Sequence, residues 1–379
     1  MKNQNVTMIS AWASRAGGGL QSSVRDLALA LQAHVGCKVQ FVSNQDSHTP
    51  TDSALWAPIS PRLHRYFGPE QFRFSPGLMA DVCMTKTDII QLHGIWMFPG
   101  LAIRMRRLLR QTPLIISPHG MLDPWILSRG RWKKSMAMAV YETSNWRAAL
   151  ALRALNAAEA DAISKVMPGC RIEVIPNGVY TPSREALVEA ETRRTARGLR
   201  QFLFLGRLHE KKGVLELLQA WRNVEGAVRR HGAELVIAGW GDGGYPGQVQ
   251  ESVERTPGAR FVGAVFGAAK EQLLWDSTDF LLPSHSEGLP VAVLEACAYG
   301  LLPIISEQCN LPELATAGIS QRADPDVQSI GAALLRALDI QEPERRQIGS
   351  AAQEHVRQRY AWEAIAATFE QLHRLIVLK

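Results

Sequence analysis

Cysteine is scarce in this chain of 379 residues, with five copies at the widely spaced positions 37, 83, 170, 297 and 309. No Cys-x-x-Cys pair occurs, and the cysteines form no cluster with histidines that has the ligand number of a structural zinc site. A disulfide-rich scaffold and a zinc-stabilised fold are therefore excluded. We expect the cysteines to be reduced thiols in hydrophobic cores.

Long hydrophobic runs are also missing. The longest candidate, residues 291–305, is interrupted by Glu295 and Pro303, and no run approaches the roughly 18 apolar residues of a membrane-spanning helix. The N-terminal residues are polar and show no apolar stretch before a cleavage site, which predicts no signal peptide. We expect a cytoplasmic protein that associates with a membrane at most peripherally.

The net charge is small, +6, so the composition requires no nucleic-acid partner and we expect none. The excess is concentrated in one basic segment, residues 101–147, which contains nine basic and two acidic residues. The bases are Arg104, Arg106, Arg107, Arg110, Arg129, Arg131, Lys133, Lys134 and Arg147, the acids are Asp123 and Glu142, and the interleaved apolar positions include Leu101, Met105, Leu108, Trp132, Met136 and Val140. This pattern is typical of amphipathic helices with a cationic face. Two interpretations stay open, a solvated helix exterior and a surface that docks on anionic lipid.

Short β-branched runs alternate with longer amphipathic stretches along the whole chain. Strands are predicted at residues 6–11, 39–43, 88–92, 114–117 and 172–175, and again at 201–205, 235–238, 260–262, 280–282 and 303–305. Helices are predicted between them, as at 213–225, 268–276 and 290–299. The alternation predicts an α/β fold with two Rossmann-like, doubly wound parallel-sheet domains that face each other across a cleft.

The turn Pro176-Asn177-Gly178 and the polar segment after it mark the predicted domain boundary. We predict an N-terminal domain over residues 1–180 and a C-terminal domain over 198–360. A last amphipathic helix, over 361–379, is predicted to pack back on the first domain.

Charged residues follow the first predicted strand of the second half. That strand leads into Gly206-Arg207-Leu208-His209-Glu210-Lys211-Lys212-Gly213. Arg207 offers a planar fork of donors and Lys212 a point charge, and a strand-to-helix turn with two cations suits a diphosphate. The alternative is that both are ordinary exposed surface charges.

A second loop, Pro283-Ser284-His285-Ser286-Glu287-Gly288-Leu289-Pro290, precedes a predicted helix. With Pro290 at the first helical position, Gly288 and Leu289 would leave backbone N–H groups for an anion. Glu287 lies before the helix, and Glu295 lies inside it among apolar neighbours, where a carboxylate needs a partner. These positions predict one carboxylate for a sugar hydroxyl and the other for a ribose.

The motifs resemble those of the family 4 nucleotide-sugar glycosyltransferases, which have the two-domain GT-B architecture. The similar stretches are Gly206–Gly213, Glu287-x7-Glu295, Pro176-Asn177-Gly178-Val179, Ala238-Gly239-Trp240-Gly241-Asp242-Gly243 and Ser117-Pro118-His119-Gly120-Met121-Leu122-Asp123-Pro124-Trp125. The last is similar to a stretch in the branch that builds bacterial surface polysaccharides. Each motif alone is weak, but five in the right order, each at a predicted strand end, make a specific resemblance.

The resemblance implies a role for each matching position. Arg207 and Lys212 would hold the donor diphosphate, Glu295 the ribose, and Glu287 a donor-sugar hydroxyl near the reacting carbon. His119 would contact the donor sugar or its leaving phosphate, with a purely structural histidine as the alternative. The implied catalytic residues are Glu287, His119, Arg207 and Lys212. The implied donor-binding residues are Gly17, Gly18, Gly19, Arg207, Lys212, Gly263, Val265, Glu287, Gly288, Leu289, Pro290 and Glu295, with the base pocket around residues 262–266; a Cβ at the first three glycines would obstruct the phosphate.

The implied reaction moves a hexosyl-type sugar, with retention of configuration, from a UDP- or GDP-sugar to a hydroxyl of a saccharide or polyprenyl-linked acceptor. Its setting would be O-antigen, capsule or exopolysaccharide synthesis at the inner face of the cytoplasmic membrane. We expect no cofactor besides the nucleotide sugar, a co-substrate, and no metal, because the only Asp-x-Asp, Asp324-Pro325-Asp326, reads as a turn. Two alternatives stay open, a nucleotide-sugar epimerase of the same architecture and a non-enzymatic nucleotide-sugar sensor. A dehydrogenase is disfavoured because the glycine-rich loop 239–243 follows a middle strand.

Two stretches depart from the family pattern. Residues 155–159, Leu-Asn-Ala-Ala-Glu, stand where the family often has a pair of hydroxyl residues. Residues 309–313 replace the usual Gly-Gly before Glu313.

Overall fold

The computed structural model describes residues 4–122, 126–127 and 130–377. The chain divides into two compact units. The first unit contains the residues up to Gly178 together with those from Trp362 onward, and the second contains Val179–Ala361. Each unit is a parallel sheet with helices, as the alternation of the sequence predicts.

The first unit contains a seven-stranded sheet in the order β3-β2-β1-β4-β5-β6-β7. The strands are β1 Asn5–Ser10, β2 Lys38–Asn44, β3 Arg62–His64, β4 Ile89–His93, β5 Leu114–Ser117, β6 Ala151–Ala154 and β7 Ile172–Val174. Every pair is parallel. The register places Ser10 beside His93 and His93 beside Ser117, so the loops after β1, β4 and β5 begin at one edge of the sheet.

Helices flank this sheet. The α-helices are Gly19–Ala30, Thr49–Asp52, Pro76–Met84, Phe98–Leu109, Arg131–Ala137, Thr143–Ala148, Ala157–Val166 and Trp362–Val377, the π-helical segments are Leu31–Val35 and Met138–Glu142, and 3-10 turns occupy Arg15–Gly17 and Ser53–Trp56. The last α-helix buries Trp362, Ile365 and Phe369 in the same hydrophobic cluster as strand β1. Each such side chain contributes about 1.5–3 kcal/mol by leaving water.

The second unit contains a six-stranded parallel sheet in the order β10-β9-β8-β11-β12-β13. Its strands are β8 Arg200–Arg207, β9 Ala233–Trp240, β10 Ala259–Gly263, β11 Asp279–Leu282, β12 Leu302–Ile305 and β13 Gln321–Arg322. Both sheets therefore have the strand order of a doubly wound fold, in which ligand sites lie at the carboxyl ends of the strands.

The helices of the second unit complete its core. They are Arg184–Arg197, Val214–Asn223, Glu225–Arg230, Tyr245–Glu254, Gly267–Asp276, Val291–Ala298, Pro312–Thr316, Val327–Asp339 and Glu342–Tyr360, with 3-10 turns at Glu210–Lys212 and Glu307–Cys309. The first of them lies in the polar segment after the predicted boundary. It is tied to this unit by Arg194, which is buried and donates to the carbonyls of Leu274, Trp275 and Tyr299.

Asp324 and Asp326 have local structural partners. The carboxylate of Asp326 accepts from the Ser329 amide at 2.8 Å and caps the helix that follows, and Asp324 pairs with Arg322. In the part of the chain that is described, no cluster of three or more His, Cys, Asp or Glu side chains could hold a metal ion. Within the same residues, no helix is long and apolar enough to cross a membrane.

Candidate functional site

Lys212 lies in the turn that joins β8 to the helix Val214–Asn223, and its position depends on the glycine after it. Gly213 has φ +67°, and a Cβ there would lie 2.3 Å from the Pro283 carbonyl oxygen. Only glycine permits this close approach of the loops after β8 and β11. The His285 amide also donates to the Lys211 carbonyl at 2.7 Å. The two loops that carry the predicted cation and carboxylate are therefore held together by their backbones.

Glu287 and Lys212 form an ion pair at this junction. The ammonium group of Lys212 binds Oε1 of Glu287, and the two side chains are 14% and 8% exposed. The hydroxyl of buried Ser284 donates to the same oxygen at 2.5 Å. Asn310 donates to the Glu287 carbonyl at 2.6 Å and takes φ +56°, a left-handed conformation, within the stretch that replaces the usual glycine pair. The carboxylate is thus held by two side chains, and the backbone of Glu287 is held by a third.

Arg207 ends β8 and lies beside Trp240, the last residue of β9. Its guanidinium donates to Asp242 at 2.5 Å, and both side chains are more than half exposed. Gly239 lets these strand ends converge, because a Cβ there would lie 2.0 Å from the Gly206 carbonyl oxygen. Arg207 is thus a solvent-facing cation with one exposed carboxylate as its partner.

Glu295 lies on the helix Val291–Ala298, most of which is buried as its apolar sequence predicts. Its carboxylate accepts from Lys270 at 2.7 Å, and both side chains stay partly exposed. Lys270 lies on the helix Gly267–Asp276, after the predicted base loop. The predicted need for a partner is met by a lysine that the motif comparison did not identify.

The turn before this helix contains Gly288, Leu289 and Pro290. The helix begins at Val291, one residue later than predicted, with Pro290 as its cap. The Pro290 carbonyl accepts from the Val293 amide at 2.9 Å. Gly288 is exposed, Leu289 is half-buried, and Pro290 is buried.

Two exposed aromatic rings meet at the predicted base loop. Trp240 is 46% and Phe266 66% exposed, and their ring centroids are 5.3 Å apart. Gly263 ends β10 with φ +72°, and Val265 packs against the core of the unit. An exposed aromatic ring can stack on the face of a base. The glycine pattern of residues 238–243 assigns no role to its variable position, which Trp240 occupies.

Gly17 and Gly18 precede the helix Gly19–Ala30 of the first unit, and Gly19 is its first residue. The Gly17 and Gly18 amides donate to the carbonyls of Ser14 and Arg15, so they are used within the turn. A Cβ on Gly17 would lie 2.6 Å from Cβ of Trp12, whereas Gly18 takes φ +56° and Gly19 faces open space. Gly17 and Gly18 therefore take part in the turn, and Gly19 begins the helix.

His119 follows β5 in the same unit and takes φ +54°, a backbone conformation that residues other than glycine rarely adopt. Its Nε2 lies 3.0 Å from Nδ1 of buried His93, at the end of β4. The Gly120 amide donates to Glu159 at 2.6 Å, as does the Leu155 amide at 2.8 Å. Glu159 lies in residues 155–159, the stretch that departs from the family pattern. Its hydrogen bond with the Gly120 amide thus holds the loop that contains His119. Asp123, Pro124 and Trp125 of the predicted motif lie outside the described residues.

The basic segment differs from its predicted pattern. Arg106 is buried and donates to the carbonyls of Val82 and Thr85, so it belongs to the fold and not to a cationic face. Several apolar positions that the pattern sets opposite the charges are instead exposed. They are Met105, Leu108, Trp132, Met136 and Val140, and the neighbouring Leu109 is exposed as well. Arg129 lies outside the described residues.

The structure thus groups the predicted residues in separate sets. The Lys212–Glu287, Arg207–Asp242 and Lys270–Glu295 pairs belong to the second unit, and His119 and the glycines belong to the first. Three cations follow strands of one parallel sheet, where they can bind an anion.

Two family models match the chain. "Glycosyltransferase Family 4" matches residues 17–182, and "Glycosyl transferases group 1" matches residues 200–339. The first match lies in the first unit except for its last residues, and the second lies within the second unit.

Curated relatives and solved structures agree with these matches. The GDP-mannose:cellobiosyl-diphosphopolyprenol alpha-mannosyltransferase of Xanthomonas campestris is 24% identical over 79% of this chain and 77% of its own. The O-antigen chain mannosyltransferase B of Escherichia coli is 30% identical over 42% of each chain. Anabaena HepE, in its complex with UDP and glucose, has a TM-score of 0.75 at 17% identity, covering 98% of this chain and all of that one. At that identity the likeness concerns the fold.

Proposed function

Because this chain belongs to the family 4 glycosyltransferases of GT-B architecture, we propose that it transfers a hexosyl-type sugar from a UDP- or GDP-sugar to a lipid-linked saccharide during cell-surface polysaccharide synthesis. The observation that carries the proposal is the largely buried Lys212–Glu287 pair at the strand ends of the second unit. The named activity of the Xanthomonas campestris relative supports the donor class and the acceptor class. The named activity of the O-antigen chain mannosyltransferase supports the polysaccharide setting.

In the proposed reaction, the bond between the anomeric carbon and the diphosphate oxygen breaks, and the acceptor oxygen forms a bond to that carbon on the same face. The acceptor proton passes to the departing phosphate oxygen, so configuration is retained. Such a reaction depends on stabilising the charge that develops on the leaving group. Lys212 and Arg207 supply that positive charge in our proposal, which therefore uses no divalent metal.

Glu287 has a positioning and electrostatic role in this proposal. Its carboxylate accepts from Lys212 and Ser284, which leaves lone pairs for a hydroxyl of the donor sugar. Glu295, paired with Lys270, takes the ribose hydroxyls, and His119 takes a donor-sugar hydroxyl or phosphate oxygen.

A panel of nucleotide sugars, supplied with and without a lipid-linked saccharide and with EDTA throughout, tests the proposal. Release of nucleoside diphosphate together with a longer saccharide is expected. An isomerised donor would indicate the epimerase, and binding without turnover would indicate the sensor. Lys212→Ala should remove turnover, while Lys211→Ala, its exposed neighbour, should keep it; equal rates in the two variants would contradict the assignment.

The lipid-linked acceptor leads to the second part of the proposal, a peripheral position on the cytoplasmic face of the membrane through the basic segment. Trp132, Met136 and Val140 are each more than half exposed, four residues apart along neighbouring helical segments, beside exposed Arg131 and Lys133. Exposed apolar side chains flanked by cations fit an anionic bilayer, which accepts both.

Flotation with vesicles of phosphatidylglycerol or phosphatidylcholine tests this position. We expect binding to the anionic vesicles only, weakened by salt, by Arg131→Gln/Lys133→Gln and by Trp132→Ala. The control is Arg229→Gln/Arg230→Gln, which removes two exposed charges from the second unit. Equal binding by all variants would exclude the basic segment as the docking surface.

A further inference from the structure

His93 and His119 form a hydrogen-bonded pair in the first unit. Which of the two rings donates decides which nitrogen of His119 carries its proton. Nδ1 of His93 lies 3.0 Å from Nε2 of His119. Burial, together with the charge of Arg153, lowers the pKa of His93 to about 3, and burial also holds the pKa of His119 well below its usual range. Both rings are therefore neutral near pH 7, and each carries a single N–H.

Only two arrangements of the protons satisfy this hydrogen bond. If His119 donates, the proton of His93 must lie on its Nε2, which is buried and has no hydrogen-bond partner among the described residues. A buried N–H without an acceptor costs about 1–3 kcal/mol, and the nearby charge of Arg153 further disfavours a positive N–H dipole there. If His93 donates, its Nε2 carries no proton and presents a lone pair, which the positive charge of Arg153 favours.

We propose that His93 is a positioning residue, which donates its Nδ1–H to Nε2 of His119 and so fixes His119 as the tautomer protonated on Nδ1. His119 then presents a neutral N–H donor to the substrate. Resting on the proposed function, the partner of this donor is a sugar hydroxyl or a phosphate oxygen, since both accept hydrogen bonds.

The backbone around His119 fits this role. Left-handed conformations at residues other than glycine cost about 1–3 kcal/mol and concentrate at functional sites. The His119 loop is held on both sides, by the Gly120 amide on Glu159 at 2.6 Å and by the Gly94 amide on the Ser117 carbonyl at 2.9 Å. With the loop held and Nε2 occupied by His93, Nδ1 is the ring nitrogen without a hydrogen-bond partner among the described residues.

The experiment measures the tautomer of His119 directly. Two-bond ¹H–¹⁵N correlation spectra of the full chain with ¹⁵N-histidine distinguish a protonated Nδ1 from a protonated Nε2, and His119→Gln identifies the signal. We expect a protonated Nδ1. A wild-type His119 protonated on Nε2 would overturn the proposal. The spectrum needs no turnover, so it decides the inference even where the glycosyltransferase assay fails.

Variants at position 93 connect the tautomer to turnover. His93→Asn keeps an N–H near the site of Nδ1 and should keep the tautomer and most of kcat. His93→Leu removes the donor, and we expect mixed tautomers and a kcat loss of about 10- to 100-fold, with a smaller change in the donor KM. The control is His373→Leu, which removes another buried histidine, bound to Gln91 at 3.0 Å. Equal kcat losses in both leucine variants would contradict a positioning role.

Discussion

Lys212 and Glu287 are 75 residues apart in the chain, yet the ammonium group of the first binds the carboxylate of the second in a largely buried pair. Each charge therefore depends on the other for its compensation. Removing one leaves an unpaired charge in a place that water reaches poorly, which is strongly destabilising.

This dependence predicts that stability and activity separate in a double variant. Lys212→Ala should lower the melting temperature, because Glu287 loses its counter-charge, and should reduce transfer at least ~100-fold. Lys212→Ala/Glu287→Ala should recover part of the melting temperature but none of the transfer. Calorimetry and a donor-release assay measure the two effects. A double variant less stable than the sum of its single changes would contradict the pairing.

Arg207 should bind the diphosphate despite its contact with Asp242. Exposed ion pairs contribute only about 0–1 kcal/mol, so a phosphate can displace the carboxylate at little cost. Arg207→Ala should weaken titrated binding of both a nucleoside diphosphate and inorganic pyrophosphate by about 10-fold or more. Asp242→Asn should leave both affinities equal or higher. Weaker binding in Asp242→Asn would show that the carboxylate supports the site instead of competing for it.

Trp240 should contribute to binding of the base and not of the phosphates. Stacking of a base on an aromatic ring contributes about 1–3 kcal/mol, so Trp240→Ala should raise the Kd of the nucleoside diphosphate roughly 5- to 150-fold. Pyrophosphate binding should not change, and Trp240→Phe should restore most of the affinity. Trp132→Ala, another exposed tryptophan, is the control. An unchanged Kd in Trp240→Ala would place the base elsewhere.

Glu142 should make the stability of the first unit depend on pH. Burial raises its pKa to about 7, although Trp96 and Trp146 each donate a hydrogen bond to it. The folded state thus holds this proton more tightly than the unfolded state. The contribution of Glu142 to the free energy of unfolding falls as pH rises from about 4.5 to about 7, by roughly 3 kcal/mol, and is constant above.

Urea unfolding of the wild type and of Glu142→Gln across this range isolates the effect. The stability of the wild type relative to the variant should decrease with pH and then level off. Subtracting the two curves removes the buried histidines, whose lowered pKa values give the opposite slope below pH 6.5. A difference that does not vary with pH would contradict the raised pKa of Glu142.

Local patterns predicted most of the strands but missed β3, β6 and β13. The short edge strands β3, Arg-Leu-His, and β13, Gln-Arg, contain no β-branched residue, whereas the equally short β7, Ile-Glu-Val, contains two. Strand β6 contains Arg153, whose charge interrupts the apolar run. Its guanidinium is buried against the carbonyls of Ile175 and Pro176, acceptors that exist there only once β6 and β7 have paired.

The sequence by itself determined the two parallel sheets and the loops where charged residues gather, because strand and helix periods are local and parallel strands bring their carboxyl ends to one edge. Only the tertiary structure decided which charges meet. Lys212 reaches Glu287 through the close contact at Gly213, Lys270 compensates Glu295, and His93 meets His119. Burial is likewise a property of neighbours distant in sequence, so Arg106 is internal while Trp132 faces solvent within one basic segment.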